Sequence, residues 1–439
     1  MNYSNKAIYM SKQVYCRFYS IILGLGLSLA GCTSDDPQIG NEEGSGTETT
    51  QPSDGQQSSD PYIPGNLVKT YSFDLDFFKS AIESYDGNII VSPLAAHMAF
   101  GIVAAGSSSA TASEIVNLLK CIDLKYMQAF HSEVVNSFPT LDSKSVTELS
   151  SSLWHTSEFN VNSEFSDIFL DTYGGRLFPC DMNSSDTREA ISTWCNEHTR
   201  KTVSGVSVPD DEDLLLLSSI YFKSPWSSSL KKDMIGSTVG AFYGLSGEKE
   251  CNLVKLLGYM GHTSAKDGSY EAVKVDLGNG SFTATFVLPD YDTDVSEVLG
   301  NINYRYLIDQ NATDMDGTHV WKRNWTHLFL PVFEASATAY DLSEVFDKMG
   351  ISDILVGAFD NIVGSSAESR LLLSQTSALQ FTDDGMEAAA VLNDIRPTDN
   401  INFPDDTAGE WMDINRPYIF FIHETTTGAC ILAGKITDI

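Results

Sequence analysis

The chain has 439 residues, 42% of them hydrophobic, enough to build a substantial core as one large domain or a few smaller ones. Its 27 basic residues stand against 59 acidic ones, a formal charge of −32. Such a surface repels phosphate backbones, so nucleic acid and heparin-like polyanions are not expected as partners.

At the N-terminus, Lys6, Lys12 and Arg17 precede the apolar run IILGLGLSLAGC, Ile21 to Cys32. This is the layout of a secretion signal, and the run is too short to span a bilayer. Leu29-Ala30-Gly31-Cys32 resembles the lipobox of bacterial lipoproteins, in which the chain is cut before the cysteine and the cysteine is acylated. It predicts a signal peptide over 1–31 and Cys32 as the lipid attachment; the alternative is an ordinary signal with an incidental cysteine. Several acyl chains anchor stably where one does not. Losing three basic residues and no acidic ones leaves 24 against 59, a charge of −35. Residues 33–66 are rich in Ser, Gly, Thr, Asp and Glu and cannot bury enough surface to fold. As a tether, 32–66 holds the folded part on the order of 30 Å from the lipid. Thr33-Ser34-Asp35-Asp36 resembles the export signal of surface lipoproteins, so the expected location is the outer membrane of a Gram-negative bacterium, on its extracellular face.

From Leu67 to Ile439 no comparable break and no internal repeat occurs, so 67–439 reads as one domain. YSFDLDFFKSAIES has apolar residues at helical spacing. It leads into GNIIVSPLAAHMAFGIVAAGSSSATASEIVNLL, read as a short strand, a Ser-Pro helix start and an apolar helix whose small residues permit close packing. Strand-like runs follow in LLLLSSIYFKSPW, YEAVKVDLGNGSFTATFVLPD, HLFLPVFEASAT and RPYIFFIHETTTGACILAGKI. Helices come first and strands mainly later, an α+β class. Cys121, Cys180, Cys195, Cys251 and Cys430 are widely spaced and match no metal-ligand pattern. They read as small hydrophobes, with room for one disulfide that spacing does not assign.

Near the C-terminus, FTDDGMEAAAVLNDIRPTDN, Phe381 to Asn400, fits no single element. Its start reads as a strand end, Gly385 permits a turn, and Met386 to Leu392 are good helix formers. Asn393, Asp394, Pro397 and Asp399 then break any helix, and the region stays polar as far as Ala408. It reads as exposed, with no core buried beneath it, and loops this long are usually functional or disordered.

These segments, in this order, resemble the serpin family. Asn88, Ser92 and Pro93 match the Asn-x-x-x-Ser-Pro start of the family's buried second helix, with Gly106 and Thr111 at the family spacing. SSIYFKSPW is similar to the Asn-x-x-Tyr-Phe-Lys-Gly-x-Trp strand, which places Trp226 at the top of a central sheet. LPVFEASATAYDLSEVFDKMGISDIL matches the Leu-Pro-x-Phe strand, its helix and the turn at Lys348-Met349-Gly350-Ile351. Arg416-Pro417-Tyr418 and Gly434-Lys435 fit the C-terminal His-Pro-Phe and Gly-Lys/Arg signatures, with Arg replacing His. The resemblance implies helices packed on three β-sheets with an exposed reactive-centre loop, and suicide inhibition of serine or papain-like cysteine proteases. It implies no catalytic residue, cofactor or metal in this chain, and a monomer.

In serpins, cleavage frees the N-terminal half of the loop to enter the central sheet, dragging the acyl-enzyme with it. The resemblance assigns the hinge to Asp383, Gly385, Met386, Glu387, Ala388, Ala389 and Ala390. Gly385 can swing through unusual angles, and the alanines present nothing that obstructs entry. Alternation would bury Met386, Ala388, Ala390 and Leu392 on one apolar face. Asp394 and Arg396 continue that face at a cost, and Pro397 gives no ladder hydrogen bond, so insertion could stall in its last third. Family spacing from Gly385 gives Asp399-Asn400 as the scissile pair, suited to an Asp-specific protease. The loop is longer than usual, so Ile395, Thr398 or Ile401 could instead serve elastase-like or cysteine proteases, while Pro397 blocks a cut after Arg396. Met386 stands where inhibitors usually carry Thr or Ser, and Ala95 and Ser218 replace a usual serine and asparagine. A non-inhibitory serpin-fold surface binding lipoprotein is the alternative.

A lipid-anchored hydrolase finds no support: there is no Gly-x-Ser-x-Gly elbow, phosphate loop or clustered metal ligands. His97 reads as a satisfied core histidine. His423-Glu424 resembles the start of a zinc-protease helix but lacks the second histidine, and reads as surface decoration.

Overall fold

The computed structural model describes residues 71–199, 214–232, 238–309, 311–335, 339–351, 362, 371–376, 379–381, 385–387 and 409–439. The chain divides into Met1–Ser58 and Ser59–Ile439, and every described residue belongs to the second unit. The signal segment 1–31, Cys32 and the tether 32–66 lie outside the described residues.

Helix α1 (Tyr71–Ser84) turns Phe73, Phe77 and Phe78 inward, and β1 (Ile89–Val91) is buried throughout. α2 (Pro93–Ala105) begins at Ser92, whose side chain accepts the Ala95 N–H, with Pro93 at the position where its missing donor does no harm. Every residue of α2 is buried, as expected of a helix that is apolar all round. Small residues make that possible: a Cβ on Gly101 would overlap His131 and Tyr173, and one on Gly106 would overlap Ile362. α3 (Ser109–Leu118), α4 (Leu124–Ser137), α5 (Ser163–Tyr173) and α6 (Ser185–His198) follow, capped by Ser108, Asp123, Asn162 and Ser184. Strands β2 (Val146–Thr156) and β3 (Arg176–Cys180) run between them.

Mostly strands come next: β4 (Leu214–Pro225), β5 (Lys231–Lys232), β6 (Thr238–Gly244), β7 (Gly247–Ser264), β8 (Tyr270–Leu277) and β9 (Phe282–Pro289). After α7 (Val295–Asn301) and α8 (Tyr304–Ile308) come β10 (Lys322–Pro331), β11 (Phe333–Ala335), β12 (Ala339–Asp341) and α9 (Ser343–Lys348). The last elements are β13 (Leu371–Thr376), β14 (Leu379–Phe381), β15 (Gly385–Glu387), β16 (Glu410–Asp413), β17 (Tyr418–Glu424) and β18 (Cys430–Ile436).

One sheet has the order β1-β18-β17-β9-β8-β7-β10-β16, with β5 and β6 also paired to β7. The other has the order β11-β14-β15-β4-β13-β12, with β2 on the opposite edge of β4 and β3 beyond it. The class is α+β. Two of the three expected sheets run together as one ladder, because the 18-residue β7 pairs with β6 and β10 along its length and with β8 at its end. The central strand β4 is covered on both faces, which explains its unbroken apolar run. Leu214, Leu216, Ile220 and Phe222 face the main core, whereas Leu215 and Leu217 join Trp154, Trp194 and Cys195 beneath α6.

Several polar groups inside this core are bonded to one another. His97 Nδ1 lies 2.8 Å from His131 Nε2, and His131 Nδ1 lies 3.2 Å from the Tyr173 hydroxyl. The five described cysteines are free thiols, with Cys195 and Cys430 buried. The reading of His423-Glu424 as surface decoration is wrong, because β17 sits in the sheet interior between β9 and β18. His423 Nε2 lies 2.8 Å from the Tyr304 hydroxyl, and buried Glu424 accepts from the Thr426 and Thr427 N–H groups at 2.9 and 2.6 Å.

Burial lowers His97 from 6.5 to about 4 and His423 to about 3, and holds His131 well below its ordinary value. The unfolded chain therefore binds the extra protons, so these groups cost stability as pH falls below 6.5 toward 4. Calorimetric melting temperature is expected to drop steadily over that window, and a His97→Asn variant should show a shallower fall.

Candidate functional site

The segment that sequence leaves undefined begins inside a sheet. Gly385, Met386 and Glu387 pair antiparallel with Pro225, Ser224 and Lys223 of β4, and Met386 and Glu387 pair with Phe381 and Gln380 of β14. β15 thus fills the upper end of the space between β14 and β4. Lower down β13 closes directly on β4, with Leu371–Thr376 parallel to Leu214–Ser219. Among the described residues, the pairing with β13 reaches Ser219 and that with β15 reaches Lys223.

Met386 has 0% exposure and belongs to the main core. The expectation that nothing is buried from Phe381 onward therefore needs correction at this point: an apolar side chain at an inward register position is already held between two strands. Glycine at 385 also has a packing reason. A Cβ there would overlap the Ser224 carbonyl oxygen and stand 2.6 Å from the Pro225 Cα, so Gly385 serves close backbone approach.

The top of β4 is fixed from below. The Ser224 hydroxyl lies 2.7 Å from that of Ser145, which donates to buried Asp142 at 2.6 Å. Asp142 also accepts the N–H groups of Lys144 and Asn279, at 2.9 and 3.1 Å. Trp226, just past β4, is buried and forms a single bridge to Leu277 of the other sheet.

Halfway down, α2 holds β13. Gln375 is fully buried; its Oε1 accepts the Ser92 N–H at 2.8 Å and its Nε2 donates to the Ser92 carbonyl at 2.7 Å. Ser218, opposite Gln375 in register, donates to the Ala95 carbonyl at 3.4 Å. Sequence marks Ser92, Ala95 and Ser218 but not Gln375, whose only signal is a polar side chain within the run LLLSQTSALQF.

The other marked positions serve the frame. Asn88 accepts the N–H groups of Thr437 and Asp438 at 2.7 and 3.0 Å and donates to the Asp438 carbonyl, joining β1 to the chain end. Pro417 follows Arg416, which donates to the Pro289 carbonyl at 3.0 Å and lies 4.0 Å over the Tyr291 ring. On the far side of the loop, Glu410 of β16 accepts from Asn324 at 2.7 Å and lies 3.4 Å from His262. Gly409, at φ +122°, presses on the Trp325 carbonyl, where a Cβ would stand 2.5 Å away. Asp383, Ala388, Ala389, Ala390, Ile395, Thr398, Asp399, Asn400 and Ile401 lie outside the described residues. Among the described residues, no group of His, Cys, Asp and Glu could hold a metal ion.

Replacing Gln375 by Leu would leave the buried Ser92 N–H without this acceptor and the Ser92 carbonyl with the Ala96 N–H as its remaining donor. A destabilisation of about 2–3 kcal/mol is expected from the midpoint of denaturant unfolding.

The family model described as serpin (serine protease inhibitor) matches residues 69–439. The chain is 21% identical over 406 residues to Serine protease inhibitor 2 of Anopheles gambiae, covering 88% of this chain and 95% of that one. It is 24% identical over 388 residues to the Leukocyte elastase inhibitor of Xenopus tropicalis, covering 84% and 97%. The solved structure of Serpin48 from the insect Tenebrio molitor matches with a TM-score of 0.71 at 18% identity, covering 84% and 97%, a likeness of fold. With a family match that runs from just before α1 to the last residue, the chain belongs to the serpin family.

Proposed function

We propose that this serpin is a one-use inhibitor of serine endopeptidases, with papain-like cysteine proteases as further targets, held by lipid on Cys32 at the outer face of a Gram-negative outer membrane. The anchor rests on Leu29-Ala30-Gly31-Cys32 and on the acidic residues that follow. The observation that carries the inhibitory reading is the register of β15. Each of its three pairs with β4 continues in a single direction. Carried on, the ladder lays Ala388 against Phe222, Ala390 against Ile220, Leu392 against Ser218 and Arg396 against Leu214, the first residue of β4.

That register supports insertion as the chemistry of inhibition. Residues opposite one another in an antiparallel pair share a face, so Met386, Ala388, Ala390 and Leu392 would line the main-core side of β4. To admit the strand, β13 must leave the six β4 residues it now pairs with. The target enzyme supplies nucleophile and oxyanion hole; this chain supplies the scissile bond, between Ile395 and Asn402, and the hinge. One observation favours the non-inhibitory reading: Asp394 and Arg396 would meet Leu216 and Leu214, both buried.

Incubated with elastases, subtilisin, trypsin, papain and an Asp-specific protease, the protein is expected to give an SDS-resistant adduct with at least one of them. The released C-terminal fragment should begin between residues 396 and 402 by mass spectrometry. Clean loop cleavage, with no adduct and no rise in melting temperature, would leave the non-inhibitory reading standing. Met386→Glu would put a carboxylate where the methionine is buried and should eject β15. Faster subtilisin cleavage of the loop, and more inhibitor consumed per protease trapped, are the expected readouts.

A further inference from the structure

Where the chain returns from the 388–408 segment, a polar cluster joins β7, β10 and β16. His262 of β7 has its Nε2 2.6 Å from the Thr326 hydroxyl of β10 and its Nδ1 3.4 Å from a Glu410 carboxylate oxygen of β16. The other Glu410 oxygen accepts from the Asn324 side chain at 2.7 Å, which holds the carboxylate in place. Thr326 also lies 3.1 Å from the Asn324 carbonyl, to which it donates. His262 thus reaches from β7 across β10 to β16. Thr326 is fully buried and His262 mostly so, whereas Glu410 is half exposed.

This geometry suits one form of the imidazole. Thr326 has a single proton and two acceptors within reach, His262 Nε2 and the Asn324 carbonyl. With His262 neutral and its proton on Nδ1, Nε2 takes the Thr326 proton and the Asn324 carbonyl loses it. With the proton on Nε2 instead, the bare Nδ1 faces the Glu410 carboxylate, lone pair against lone pair. The imidazolium satisfies every contact at once: Nε2–H donates to Thr326, Thr326 donates to the Asn324 carbonyl, and Nδ1–H is turned to Glu410 as a charge-assisted pair.

The charged groups around the ring are Glu410 of β16, Glu271 of β8 and, opposite it in register, Lys322 of β10. Burial lowers His262 below its ordinary 6.5, and the Glu410 and Glu271 carboxylates pull it back up. Seating β16 is what brings Glu410 to the ring. By linkage, the stability Glu410 adds there is present in full when His262 is protonated and is lost as pH rises through its titration. In stronger acid, below roughly pH 4, the carboxylate takes up a proton itself and the attraction ends.

We propose that His262 is a proton-operated clasp: protonation of its ring ties β16, and with it the returning end of the 388–408 segment, more firmly to β7 and β10 in acid surroundings than in neutral ones. The clasp stands whether or not the loop traps an enzyme. The test is hydrogen–deuterium exchange of the β16 amides in the full chain, followed by mass spectrometry at about pH 5 and about pH 8 and normalised to the unfolded chain. Glu410→Gln keeps an acceptor for Asn324 and removes only the charge. It is expected to raise opening of β16 about threefold at the lower pH and to leave it unchanged at the higher. Exchange in β17 and β18 should not move at either pH. In a His262→Gln background, Glu410→Gln should have no further effect at either pH. An equal effect of Glu410→Gln at both pH values, or none at either, overturns the clasp. Should His262→Gln fail to fold, the pH contrast in the Glu410 variant decides alone, because that half-exposed side chain can be changed without disturbing the core.

Discussion

One edge of one strand governs this molecule. The side of β4 that faces away from β2 binds β13 low down and β15 high up, in opposite directions, and among the described residues neither partner pairs with Ile220 to Phe222. An edge left incomplete in a strand whose side chains are buried on both faces is a standing invitation to strand addition. The protein manages it by holding both partners from outside the sheet. Gln375 is clamped to the N-cap of α2, and Gly385 is seated against the backbone of Ser224 and Pro225.

The surrounding architecture serves that edge. α2 reaches the sheet because its residues are small enough to be buried on every side. The Asp142, Ser145 and Ser224 network fixes the level at which β4 ends, and with it the depth to which β15 is seated. Across the loop, Gly409 and Glu410 secure the returning chain to β7 and β10. Both ends at which the described chain meets the 388–408 segment are thus anchored, and the β15 end lies beside β4.

Much of this is legible in the amino-acid sequence. Ser92-Pro93 announces a helix cap, and the apolar run at Leu214 a strand covered on both sides. Pairwise facts are less visible. Gln375 matters because a backbone amide and carbonyl 283 residues away need its two ends, and local pattern contains no trace of that. Met386 looks like part of an exposed helix until the sheet supplies a slot for it. His423-Glu424 reads as polar decoration because only topology puts β17 between two other strands. The merging of two sheets through β7 likewise depends on partners, not on the composition of β7.

The first strand offers a last consequence. β1 pairs with β18, and Asn88 binds backbone groups of Thr437 and Asp438 about 350 residues downstream. The ten-stranded sheet therefore cannot be completed until the final residues have left the ribosome, and contacts of such high sequence separation form slowly. A polypeptide built this way leaves β1 without its partner strand through most of its synthesis, and the sheet closes only when residues some 350 positions apart meet.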